Sequence, residues 1–215
     1  MKLNIKPMTA GWILAIVYLV GIAGFSFSVT AKFMPRLIWV NLLFTFLLLM
    51  VFHKKWSKEF VAALFMIGAS GFMLEVIGVS TRLVFGAYFY GPTLGFGFWR
   101  TPIMMFFTWI TTVYITRQVA ETIAKDAVLV SFVAACLMVL LDYFIEPFAI
   151  RYGMWAWDSV KVPLHNYIGW FVSGFVFQYL FIKSIKFPVN KLSLVVYLVQ
   201  LGFFISLYLL GGKVL

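Results

Sequence analysis

Charge is the scarcest property of this sequence. Only 11% of its 215 residues are Asp, Glu, Lys or Arg, while 64% are hydrophobic. So few polar side chains cannot surface a domain in water, which excludes a soluble globular protein. Acids are rarest, seven against 17 bases, giving a net charge of +10. That excess does not point to nucleic acid, because the bases sit between apolar runs rather than on one face of a domain. Anionic lipid headgroups are the better partner. The single cysteine, Cys136, lies inside an apolar run. It allows neither an intramolecular disulfide nor a thiolate metal site and is expected to pack in the core. The two histidines, His53 and His165, fall toward opposite ends of the expected bundle and are too few for a multi-histidine centre. A Gly-rich phosphate loop, a G-x-S-x-G elbow and a dinucleotide fingerprint are absent. The last apolar run has no lysine for a retinal Schiff base.

What is present is a series of seven apolar runs: 11–28, 37–52, 60–79, 101–116, 127–150, 167–182 and 192–210. Each is near the ~20 residues that a membrane-crossing helix needs. In lipid, backbone groups must be satisfied within the segment, so helices are expected and the alternation of a barrel is missing. The expectation is an all-α integral membrane protein, a single domain over residues 1–215 built as a bundle of about seven transmembrane helices. The first run is longer than a signal-peptide core and is read as a retained span. Ten Lys and Arg fall on the side of the N-terminus and seven on the other, counting Lys2 and Lys186 on the first and Lys213 on the second. This bias predicts a multi-pass cell-membrane protein with a cytoplasmic N-terminus and an external C-terminus.

Three acids interrupt the apolar runs, Glu75, Asp142 and Glu146. An ionisable group at membrane depth costs at least ~2.5 kcal/mol, so it marks a candidate site. Around them the chain reads twice. Glu75 precedes Gly86 by 11 positions and Asp142 precedes Gly153 by 11. Gly86-x-Tyr88-x-Tyr90 matches Gly153-x-Trp155-x-Trp157, and Pro102 to Trp109 matches Pro163 to Trp170, 7 positions each. The pattern predicts a degenerate tandem repeat of helical hairpins, helices three and four at about 60–116 and helices five and six at about 127–182, with a site between the halves.

Each candidate has a plain alternative. Glu75 is either a proton donor, since burial favours the neutral form of a carboxyl group, or a structural partner of Arg82. Asp142 and Glu146, four apart, share a helix face. They form either an acid–base pair, next to a Pro147 that bends the helix, or a helix-end pair matched to Arg151. Tyr88, Tyr90, Trp155 and Trp157 are either an interfacial aromatic belt or a cage whose ring faces stabilise a cation. His165 reads first as a polar cap at a helix start.

The strings Glu75-Val-Ile-Gly-Val-x-Thr81, Phe85-Gly86-x-Tyr88-x-Tyr90, Leu94-Gly95, Pro102 and Trp109 resemble a known family. So do Asp142-x-x-x-Glu146-Pro147-x-Ala149, Gly153-x-Trp155-x-Trp157 and Val162-Pro163-x-x-Asn166-Tyr167-x-Gly169-Trp170. They are similar to the carotenoid biosynthesis membrane proteins of the carotenoid 1,2-hydratase type, the group of bisanhydrobacterioruberin hydratases and γ-carotene 1′-hydroxylases. The likeness spans about residues 60–180. It departs at Arg82, where the pattern expects glycine, and at Arg100-Thr101, where it expects Gly-Val. The resemblance implies a hydro-lyase that adds water across the terminal 1,2 double bond of a lipid-soluble acyclic carotenoid, with no cofactor or metal. Membrane lipid, and other enzymes of carotenoid biosynthesis, are its expected company. Glu75, Asp142 and Glu146 would divide acid and base roles. Thr81, Arg82, Tyr88, Tyr90, Trp109, Trp155, Trp157, His165, Asn166 and Trp170 would bind substrate. Two alternatives remain open, a lycopene-cyclase-like end-group enzyme and a small proton-coupled transporter.

Overall fold

The computed structural model describes residues 6–159, 161–184 and 188–211. Lys2, Lys186 and Lys213, which entered the charge count, lie outside them. Helix α1 is Pro7–Ser26, its proline in the first turn where no N–H is needed. A short helix α2, Ser28–Ala31, and a 3-10 turn at Met34–Leu37 reverse the chain into α3, Ile38–Val51. Helix α4, Lys58–Thr81, starts at Ser57, whose hydroxyl accepts from the Phe60 amide, and stops at Arg82 in the left-handed conformation. Helix α5 is Met104–Ile123. Helix α6, Ala127–Arg151, is capped by Asp126, whose carboxylate accepts from the Val128 and Leu129 amides. It continues through Pro147 and forgoes one backbone hydrogen bond there. Helices α7, Leu164–Ser184, and α8, Leu192–Gly211, complete the bundle.

Seven long helices therefore follow the seven apolar runs, and the all-α membrane architecture holds. Five spans, four of them α1, α4, α6 and α8 and the fifth Met34–Val51, are long and apolar enough to cross a membrane. Helices α5 and α7 are outside that set, and for α5 packing explains why. It touches α3, α4, α6, α7 and α8. Its polar Thr111, Thr116, Arg117 and Gln118 are buried inside the bundle, where lipid does not see them. Large apolar side chains such as Trp12, Leu19, Leu47, Phe65 and Leu140 face outward instead, as lipid contact requires. Cys136 is exposed, so it does not pack in the core as expected: the inner face of α6 is taken by Ala134, Ala135 and Met138.

The loops at one end carry four short strands that the apolar pattern does not announce. Strand β1, Tyr88–Tyr90, pairs antiparallel with β4, Trp155–Trp157. Tyr88 lies opposite Trp157, Phe89 opposite Ala156 and Tyr90 opposite Trp155. Strands β2, Gly97–Phe98, and β3, Thr101–Pro102, form a tight hairpin between them in sequence. The turns leading into β1 and β4 pass through Gly86 at φ +107° and Gly153 at φ +67°, a region that side chains with a Cβ rarely enter. The two aromatic strings are thus clamped to each other across the end of the bundle.

Candidate active site

Helices α4 and α6 bring the three acids inward below this clamp. Glu75 lies six residues before the end of α4, Glu146 five and Asp142 nine before the end of α6. At ~1.5 Å per residue they sit about 8–14 Å beneath the helix ends. All three are buried, with 2%, 2% and 6% of their surface exposed. They share one cavity of about 280 Å³, lined also by Phe85, Tyr88, Tyr90, Met105, Trp155, Trp157, Asn166 and Trp170.

The polar edges of the aromatic residues point at carboxylates. Tyr88 and Tyr90 donate to Glu75 Oε2 at 2.6 and 2.8 Å, and Trp109 Nε1 donates to Glu75 Oε1 at 3.0 Å. Trp155 and Trp157 donate through Nε1 to Glu146 Oε2 at 3.0 and 2.9 Å. Burial, and then the neighbouring Glu75 charge, hold both phenols well above their ordinary range, so they remain O–H donors. Asn166, at the start of α7, spends its amide nitrogen on both acids of α6: 2.7 Å to Asp142 Oδ2 and 3.2 Å to Glu146 Oε1. Glu75 and Glu146 each accept from three donors, as an ionised carboxylate can. Asp142 accepts from Asn166 alone among the described residues.

The ring bodies pack on one another. Tyr88 and Trp157 lie 5.2 Å apart between centroids, and Trp109 stacks on Trp170 at 4.5 Å. Trp109 is fully buried and is not among the residues that line this cavity; its place against α4 depends on Gly71, where a Cβ would overlap the indole Cγ. A second, larger cavity of about 750 Å³ adjoins the first, mostly apolar and walled by α3, α5, α6 and α8. Met105, Asp142, Trp155 and Trp170 line both. Among the described residues, Asp142 is the only acid that lines the larger one.

Of the expected site residues, Glu75, Tyr88, Tyr90, Trp109, Asp142, Glu146, Trp155, Trp157, Asn166 and Trp170 are brought together. Thr81, Arg82 and His165 are not. Thr81 is exposed and bonds back to the Ile77 carbonyl. His165 is exposed at the first turn of α7. Arg82 reaches outward to Asp158 at 3.1 Å, so the alternative of an Arg82–Glu75 lock fails. Met105, Met138, Thr111, Thr112 and Gln200, which line the larger cavity, were not singled out; only their position in three dimensions marks them.

The description that fits this arrangement comes from comparison. A family model described as carotenoid biosynthesis protein matches residues 36–214. The chain belongs to that family. The match takes in every residue of both cavities and leaves out α1 and α2. No curated protein and no solved structure matches the chain.

Proposed function

We propose that this carotenoid biosynthesis protein is a hydratase acting on the terminal 1,2 double bond of an acyclic carotenoid. The observation that supports it most is the position of Asp142. Among the acids of the described residues it alone lines both cavities, and of the three it has the fewest donors satisfying it. An alkene has no hydrogen bonds to offer and must be protonated by an acid whose O–H reaches into hydrocarbon. Asp142 gives its proton to C2, and a tertiary cation forms at C1. Glu75 and Glu146, each oriented by three donors, hold carboxyl oxygens beside that cation. Trp170 presents the one indole common to both cavities that is stacked rather than bonded to an acid. Water then bonds to C1, and the proton it sheds returns to Asp142. The product carries one new C–H at C2 and one hydroxyl at C1, and the acid is restored.

The aromatic residues have a different part from a simple cage. Five of them, Tyr88, Tyr90, Trp109, Trp155 and Trp157, position carboxylates through N–H or O–H groups. The paired strings and the Trp109–Trp170 stack also support reading residues 60–116 and 127–182 as a duplication, with the site on the axis between the halves. The excess of Lys and Arg supports a cytoplasmic N-terminus, which puts the acids toward the external side.

Expression in a host that accumulates an acyclic carotenoid tests the reading. Hydration adds the mass of one water per reacted end. Pigment of unchanged mass and altered spectrum would show cyclisation, and unaltered pigment would remove the enzymatic reading.

A further inference from the structure

Hydration inside a largely apolar cavity is helped by a water held at a defined place. The larger cavity has mostly apolar walls, Leu42, Met138 and Leu141 among them, and its uncharged polar lining comes from Thr108, Thr111 and Thr112 on α5 and Gln200 on α8. Thr111 and Gln200 are 7% and 6% exposed. Four other helical threonines, Thr45, Thr108, Thr116 and Thr122, bond back to a carbonyl one turn earlier. The hydroxyls of Thr111 and Thr112 make no such bond among the described residues. Gln200 is held from behind, its Nε2 donating to the Tyr18 hydroxyl at 3.2 Å, which in turn meets Thr45 at 3.2 Å. That pairing leaves the Gln200 carboxamide oxygen without a protein partner among the described residues. Polar groups buried in a membrane bundle are ordinarily satisfied, and a cavity holds water where two to four such groups converge.

We propose that Thr111, Thr112 and Gln200 hold the water that captures the cation. The proposal rests on the hydratase reading and adds where the nucleophile waits. A hydrocarbon chain filling the cavity excludes other water, so the molecule on this patch is the one at hand when Asp142 has given its proton away. The C1–O bond forms, and the proton released passes to the Asp142 carboxylate on the same cavity wall. The three side chains are positioning residues; none of them touches the reacting carbons.

The test separates protonation from capture. Purified enzyme is incubated with an acyclic carotenoid in D₂O, and both product and recovered substrate are analysed for mass and for deuterium at C2. Where capture fails, the cation loses a proton from C2 and returns as labelled substrate. Thr111→Val with Gln200→Leu is expected to lower hydration at least about tenfold, the effect of losing one or two hydrogen bonds, while deuterium enters recovered substrate more than in the unaltered protein. The single variant Thr112→Val, near-isosteric, guards against loss of fold and is expected to show the same shift in smaller degree. Unchanged hydration in the variants overturns the water site, as does an equal fall in hydration and labelling. Unaltered protein that neither hydrates nor labels overturns the hydratase reading itself.

Discussion

Trp109 stacks on Trp170 with ring centroids 4.5 Å apart and planes 9° from parallel. The two come from α5 and α7. One uses its indole N–H to hold Glu75, while the other spreads its ring over both cavities. The stack is therefore the joint through which the carboxylate on α4 is set relative to the cavity between α5, α6 and α7. Trp109→Phe keeps an aromatic ring and removes the N–H. It is expected to leave the protein folded and to cost about 1.5–3 kcal/mol of hydrogen bonding to a charged group, seen as a 10- to 100-fold loss of product in a pigment-forming host.

Gly71 sets how closely α4 approaches that stack, because a Cβ there meets the indole of Trp109. Gly71→Ala is expected to destabilise by about 1–3 kcal/mol through overpacking. Gly202 in α8 has nothing within 4 Å of the same position, and Gly202→Ala is expected to be neutral or to stabilise by up to ~1 kcal/mol from helix propensity. Thermal unfolding of the two variants in detergent should move in opposite directions, or only the first should move.

Asn166 is the sole bridge between Asp142 and Glu146 among the described residues. Asn166→Leu leaves both acids of α6 short of a donor and is expected to reduce turnover by at least tenfold with little change in substrate affinity. A rise in KM with unchanged kcat would instead make Asn166 a substrate contact.

Much of this site is legible in one dimension, and the reasons divide cleanly. Acids inside apolar runs are costly, so Glu75, Asp142 and Glu146 stand out by composition alone. The Gly-x-aromatic-x-aromatic strings are visible as a repeat, yet their antiparallel pairing, Tyr88 to Trp157 and Tyr90 to Trp155, is a long-range contact that no local spacing encodes. That pairing turns the rings edge-on to the acids and changes them from an expected cage into donors. Thr81, Arg82 and His165 are expected at the site from the family resemblance. The left-handed turn at Arg82 ends α4 and sends its side chain outward to Asp158, and His165 falls on the outer face of α7. Thr111, Thr112 and Gln200 were silent, because a threonine in an apolar helix ordinarily satisfies itself.

Arg82 departs from the glycine expected after Thr81, and its surroundings say what the change does. It sits at φ +64°, and its ion pair with Asp158 is largely exposed, 66% and 45%. Solvent screens such a pair to roughly 0–1 kcal/mol. Glycine relieves the left-handed backbone by about the same amount. Arg82→Gly is expected to change neither the unfolding temperature by more than a few degrees nor the product formed; a change of product would bring Arg82 back to the site.

His53, just past α3, offers a pH dependence with a definite sign. It is buried, stacks on Phe60 at 3.8 Å and meets the Tyr114 hydroxyl at 2.9 Å through Nδ1. Burial lowers its affinity for a proton below the ordinary value of 6.5. The unfolded chain then binds the proton more readily, so this contribution to stability is complete above pH 6.5 and is lost as pH falls through the lowered value. Unfolding followed across that window should show a steeper acid loss for the unaltered protein than for His53→Gln.

Asp142 carries the chemistry in this account, and deuterium reports on it directly. With an acyclic carotenoid in D₂O, the unaltered protein should yield alcohol bearing one deuterium at C2. Asp142→Asn, nearly the same in shape, should yield no alcohol and leave the recovered substrate unlabelled. Alcohol formed at the unaltered rate by Asp142→Asn, with deuterium at C2, would contradict it.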